Sequence, residues 1–354
     1  MTLESHSVVT GQRVDPHPRG VRLNNVAELR LLFAASVMLS HSALLADPTS
    51  HALMRVILNS EAAVQGFFIL SGFLVCGSYK SIADPVKFYV RRLLRIYPAY
   101  FVAVLLFLAL GIAQALLRGI PIAWHELPRY LAANLSTLNF LQPTVGGVFA
   151  GNWLEAINGA LWSIKVEIMF YALLPLIYAI GSRISFAAVA ALMIAAGTLY
   201  WPVLTWLAER WDVALPLSFR YQLPGQLHYF GLGVALFARS RGEIGTVTMV
   251  ALVAWALLLL ALFNDPRESV QALVLVGIIG GLTAVPQMPE PFAGQDLSYG
   301  IYLSHFPIIQ LLVVAGMGSA PFPLYVATVV ALAVAYGFAS WRLIERPALQ
   351  WWRR

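Results

Sequence analysis

The sequence predicts an all-α polytopic membrane protein of about ten transmembrane helices with both termini cytosolic. Three observations carry that prediction. Of 354 residues, 59% are hydrophobic and only 11% charged, whereas soluble domains carry roughly twice that charge. Apolar runs approaching the roughly 20 residues that span a bilayer recur along the chain, and the mean hydropathy is +0.74. Finally, the basic residues gather on one side of the topology those runs define.

Taken in order, the runs fall at 26–46, 62–79, 94–117, 160–181, 184–206, 222–239, 245–263, 268–285, 296–317 and 323–345. An even number of crossings returns the chain to its starting side. With that side cytosolic, the outer face holds Arg55, Arg118, Arg129, Arg210, Arg220 and Arg267. Lys165 lies within a span, and every other Lys and Arg lies inside. The inner loop 286–296 has no basic residue, unlike its neighbours. The expected organisation is a cytosolic tail at 1–24, one transmembrane domain at 25–347, and a cytosolic tail at 348–354. The first two dozen residues lack the apolar core of a cleavable signal peptide. The outer segment 118–159 carries Leu127, Leu131, Leu135 and Leu138 at helical spacing, which predicts an interfacial or re-entrant helix rather than a span.

The composition also excludes several chemistries. A lone cysteine, Cys76, rules out an intrachain disulfide. There is no G-x-S-x-G, P-loop or H-E-x-x-H motif and no cysteine pair for zinc, so no metal is expected. The net charge of +6 is distributed as membrane topology requires, so nucleic acid is not an expected partner. Membrane lipids are.

Polar residues at membrane depth are the functional candidates. In the first run, Arg30 and His41 bracket ten apolar or small residues. Three helical turns put them within roughly 20° of one face and roughly 16 Å apart. In ALWSIKVEIMFYALLP, residues Ser163, Glu167 and Tyr171 share a face at i, i+4 and i+8. Counting 1.5 Å per residue, Glu167 and His41 reach the same depth, about 10 Å below the outer surface. A carboxylate at that level can fix the tautomer of an imidazole and raise its basicity.

The segment VKFYVRRLLRIYPAY sets Lys87, Arg91, Arg92 and Arg95 as one contiguous cluster. Arginine forks of this kind suit phosphates or lipid headgroups. GFFILSGFLV offers Gly66, Ser71 and Gly72 for close helix approach. SYGIYLSHFPII places Tyr302 and His305 in the inner half of the ninth run, where buried polar groups need partners.

Together these segments, with the closing WRLIERP, resemble the integral-membrane acyltransferase type 3 family, in order from about residue 25 to 347. The resemblance implies a ten-span enzyme of the cell (inner) membrane. Such an enzyme moves an acyl group, usually acetyl from acetyl-CoA, onto a hydroxyl of a carbohydrate outside the cytosol, such as O-antigen, exopolysaccharide or a glycolipid. It implies that His41 is the catalytic base, with Arg30 its partner and Glu167 in support. Arg92 and Arg95, with Arg91, would stand at the acyl-CoA entrance. Ser71, Tyr302 and His305 are assigned to the same donor path, and Trp162, Ser163 and Tyr171 to the acceptor. Some relatives carry a soluble hydrolase-like domain, and none is expected here, which weighs against two-step transfer to peptidoglycan. The alternative reading is a transporter or flippase for a glycan or small anion, whose mark would be inverted-repeat symmetry. The sequence offers none.

Overall fold

The computed structural model describes residues 24–47, 57–82, 84–289 and 291–351. Apart from Asn24, the expected N-terminal tail lies outside the described residues, as do 352–354 and Arg55. Among the described residues there are helices and no strand. They run α1 (Val26–Ala46), α2 (Ser60–Ile82), α3 (Pro85–Leu117), α4 (Leu127–Leu135), α5 (Trp162–Arg183) and α6 (Phe186–Arg210). Then come α7 (Leu223–Ser240), α8 (Thr246–Phe263), α9 (Pro266–Ala284), α10 (Ser298–Val314) and α11 (Phe322–Ser340). A π-helical turn, Trp341–Glu345, joins α11 to α12 (Arg346–Trp351).

Eight of these helices are long and apolar enough to cross a membrane: α1, α2, α3, α5, α6, α8, α9 and α11 with its extension. The chain is an all-α polytopic membrane protein. The other two runs read as spans also form helices. However, α10 is only 17 residues long, and α7 carries Gln226, His228 and Arg239.

Their position explains the shortfall. Every residue of α10 from Ser298 to Gln310 is buried by neighbouring helices, so its polar side chains face protein rather than lipid. By contrast, α8 buries only Ala256 and Leu260, and its surface must suit hydrocarbon.

The third helix starts earlier than its apolar run suggests. Asp84 caps it by accepting hydrogen bonds from the backbone N–H groups of Val86 and Lys87 (2.9 and 3.1 Å), and Pro85 sits in its first turn, where no donor is needed. The basic cluster therefore lies on helix, not loop. Segment 118–159 does form its short helix, α4, tied to α3 where the Tyr97 and Tyr100 hydroxyls donate to the carbonyls of Leu135 and Asn134.

In the centre, α2 packs against α1, α3, α5 and α7, while α10 packs against α1, α3 and α11. The α2–α7 crossing is close because Gly72 and Gly233 meet backbone to backbone. A Cβ on Gly72 would lie 2.4 Å from the Phe230 carbonyl oxygen, so a side chain there would drive the helices apart.

Candidate functional site

The starts of α1, α3 and α10 and the end of α11 meet at one end of the bundle, joined by charge. Asp296, just before α10, takes Arg30 of α1 and Arg95 of α3, each at 2.5 Å. Arg95 also reaches Glu345 at 3.5 Å, and Glu345, 1% exposed, accepts from Ser340 Oγ at 2.8 Å. Burial alone would raise the Asp296 carboxyl. Arg30 and Arg95, with the Ser298 hydroxyl, more than reverse that and hold it well below the usual carboxylate range. Loop 286–296, which has no base of its own, supplies Asp296 as the carboxylate shared by two guanidiniums from other helices.

Arg92 is treated differently. Its guanidinium lies over the rings of Phe88 and Tyr171, 5.5 and 5.4 Å from their centroids. Its buried Nε has no hydrogen-bond partner among the described residues. Arg91 is exposed on the outer side of the helix.

Above this charged knot opens a cavity of about 830 Å³, counting its mouth. Arg30, Arg92 and Arg95 line it together with Ser71, Ser163, Glu167, Tyr171, Tyr299 and Tyr302. Glu167 accepts from Ser71 Oγ at 3.2 Å and from the Tyr171 hydroxyl. A second cavity of about 500 Å³ lies beyond it, lined by His41, Ser60, Glu61, Val64, Ala160, Trp162, Tyr221 and Tyr302. Val64 and Tyr302 belong to both linings, so the two chambers are separated by little more than those side chains. The Tyr302 hydroxyl is fixed there by Ser163 Oγ at 2.6 Å and by donation to the Ala160 carbonyl at 3.0 Å.

His41 is partly exposed and lines the second cavity. Its Nδ1 lies 2.9 Å from Nε2 of His305, and Phe306 meets the ring edge-on at 5.4 Å between centroids. His305 is fully buried and lines neither cavity. The depth count put Tyr302 and His305 in the inner half of their span. Contact with His41 sets His305 at the level of His41, because Asp296 already stands beside Arg30, one turn into α1.

The expected meeting of His41 and Glu167 does not occur. Equal depth is not adjacency: α1 packs on α2 and α10, whereas α5 packs on α2, α6 and α7. Each polar group takes the partner its own neighbours supply. The candidates therefore divide into two sets. Arg30, Arg92, Arg95, Ser71, Ser163, Glu167 and Tyr171 surround the first chamber, while His41 and Trp162 stand in the second, with Tyr302 between. Sequence reasoning passed over Asp296, Glu345, Glu61 and Tyr221. The lack of any basic residue in loop 286–296 was the available signal for Asp296.

A family model described as an acyltransferase domain matches residues 28–342. Nodulation protein 10 of Rhizobium leguminosarum bv. viciae is 30% identical over 94% of this chain and 95% of its own length. The O-acetyl transferase of Shigella phage Sf6 is 26% identical over 90% of this chain and 93% of its own. Exopolysaccharide production protein ExoZ of Rhizobium meliloti is 25% identical over 82% and 89% respectively. No solved structure matches the chain.

Proposed function

The chain belongs to this acyltransferase family and is a membrane-embedded O-acyltransferase. From that premise we propose that it moves an acyl group, acetyl first among candidates, from cytosolic acyl-CoA to a hydroxyl of a carbohydrate or glycolipid outside the cell (inner) membrane. The names of the relatives support a surface glycan as acceptor, one being an exopolysaccharide production protein. The observation that carries the reading is the pair of chambers meeting at Val64 and Tyr302, with a basic chamber on one side and His41 on the other.

The charged end faces the cytosol, in keeping with the positive-inside rule. Acyl-CoA enters there, and Arg92, which of the three lining arginines lacks a carboxylate partner among the described residues, holds a phosphate. Arg30 and Arg95, already paired with Asp296, and Arg95 with Glu345 as well, shape the entrance and contribute less charge. The acyl-bearing arm extends past Ser71 and Glu167 to Tyr302. His41 lies eleven residues beyond Arg30, about 16 Å along α1.

From the opposite chamber the acceptor presents a hydroxyl to His41. The imidazole removes its proton as the oxygen attacks the thioester carbon. The carbon–sulfur bond then breaks, and the imidazolium returns the proton to the departing thiolate. Trp162 and Tyr221, whose rings meet at 5.1 Å between centroids, offer apolar contact for a sugar, and Glu61 accepts hydrogen bonds from its hydroxyls.

Purified protein in liposomes, given labelled acetyl-CoA and a candidate glycan, tests the reading. Label bound covalently to the glycan is expected, and it is lost in His41→Ala. Translocation of glycan without covalent label would overturn the reading in favour of a transporter.

A further inference from the structure

His305 stands outside both chambers, yet it makes the one hydrogen bond that the His41 side chain has among the described residues. Its own Nδ1 lies 2.7 Å from the Tyr302 carbonyl oxygen and 3.3 Å from that of Ile301. A carbonyl only accepts, so His305 Nδ1 carries a hydrogen. In the neutral ring, Nε2 is then a bare lone pair, and it faces His41 Nδ1 at 2.9 Å. Two lone pairs would repel at that distance, so His41 Nδ1 carries the hydrogen between them. The ring planes lie within 8° of each other with centroids 5.2 Å apart. A shared-plane N–H···N bond of ordinary length requires roughly that separation. The pair is thus bonded in plane rather than stacked face to face.

We infer that His305 is a positioning residue: anchored by the Tyr302 carbonyl, it holds His41 in the tautomer whose Nε2 is unprotonated and open to the second chamber. The alternative tautomer would put a hydrogen on Nε2 and leave no base facing the acceptor. The same bond restrains ring rotation, because turning His41 would break it against a fully buried partner. When His41 takes up a proton at Nε2, the bond to His305 persists as a stronger, charge-assisted one. Tyr302 takes part twice, through its carbonyl behind His305 and its hydroxyl between the chambers. This inference rests on the proposal that His41 is the base.

The test compares His305→Leu with His305→Gln. Glutamine can place its amide oxygen near the position of Nε2 and accept from His41 Nδ1, whereas leucine cannot. Transfer kinetics should show kcat down about 100-fold in His305→Leu, with KM for acyl-CoA and for acceptor within about twofold of wild type. His305→Gln should recover at least tenfold of that loss. Nitrogen-15 spectroscopy of histidine-labelled wild-type protein should show His41 protonated at Nδ1 alone, a readout that survives if a variant fails to fold. His41 protonated at Nε2 in wild type, or equal kcat in His305→Leu and wild type, would overturn the inference. So would His305→Gln no more active than His305→Leu. Full transfer by His41→Ala would instead sink the proposed base, leaving the tautomer geometry standing.

Discussion

The two chambers use opposite means to hold their side chains. At the Arg30 end, position comes from charge: Asp296 grips two guanidiniums and Glu345 a second side of Arg95. At the His41 end it comes from neutral hydrogen bonds, with an imidazole on an imidazole and a tyrosine on a serine. A charged network tolerates long, flexible side chains because Coulomb attraction acts over several ångströms. A base that must meet one hydroxyl needs its lone pair aimed, which a directional hydrogen bond provides. The contrast teaches that the abundance of arginine marks where the protein is braced, and the scarcity of partners marks where it works.

The sharpest way to break that comparison is His41→Ala. A positioned general base contributes about 10²–10⁴-fold, so transfer should fall by at least 100-fold while the protein still inserts, as membrane fractionation would show. Activity near wild type would remove the functional distinction between the chambers.

Next in size is the difference between two arginines three residues apart. Arg92 has no carboxylate partner among the described residues, so Arg92→Ala should raise KM for acyl-CoA at least tenfold, the scale of one charge-assisted hydrogen bond. Its thermal unfolding should stay close to wild type. Arg95→Ala should do the reverse, leaving Glu345 buried without a counter-charge and costing about 3 kcal/mol of stability. If both variants lose affinity equally and stability equally, the division into bracing and binding cations fails.

Smaller again is the acceptor side. Glu61→Gln keeps the shape of the second chamber but weakens its acceptor of hydrogen bonds from sugar hydroxyls. KM for the glycan should rise about fivefold, roughly 1 kcal/mol, with KM for acyl-CoA unchanged. A change in the donor constant instead would mean the two linings do not separate the substrates.

Much of the architecture was legible in the sequence because lipid imposes a coarse rule: apolar length sets the helices, and α1, α6 and α8 lie within a few residues of their apolar runs. The rule weakens for α7 and α10, since a helix enclosed by protein need not look lipid-soluble. The candidate site was legible as a set of residues but not as a set of pairs. Arg30, His41, Glu167 and His305 each stand out as polar groups in apolar surroundings. Which of them touch depends on the helix neighbours, and depth along each axis says nothing about azimuth. His41 and His305 are 264 positions apart, and no local pattern links them. Asp296 went unnoticed because topology reading counts lysine and arginine, whereas that loop answers the cations of other helices with an acid.

The smallest expected effect on transfer, and the cleanest on stability, concerns that acid. The carboxyl of Asp296 titrates lower in the folded protein than in the unfolded chain. Its contribution to stability is therefore complete above the unfolded value, near pH 4, and is lost as pH falls through the folded one. Asp296→Asn removes that contribution at every pH and leaves Arg30 without its carboxylate. The variant should unfold at lower temperature than wild type at pH 7, and the gap should begin to narrow only as pH is lowered below about 4. The difference between the two curves cancels the carboxylates that lie away from Asp296; Glu345, which shares Arg95 with it, is the exception. A gap that stays constant to pH 3 would mean Asp296 braces the bundle by shape or hydrogen bonding, and the charged end would then be held together in the same manner as the histidine end.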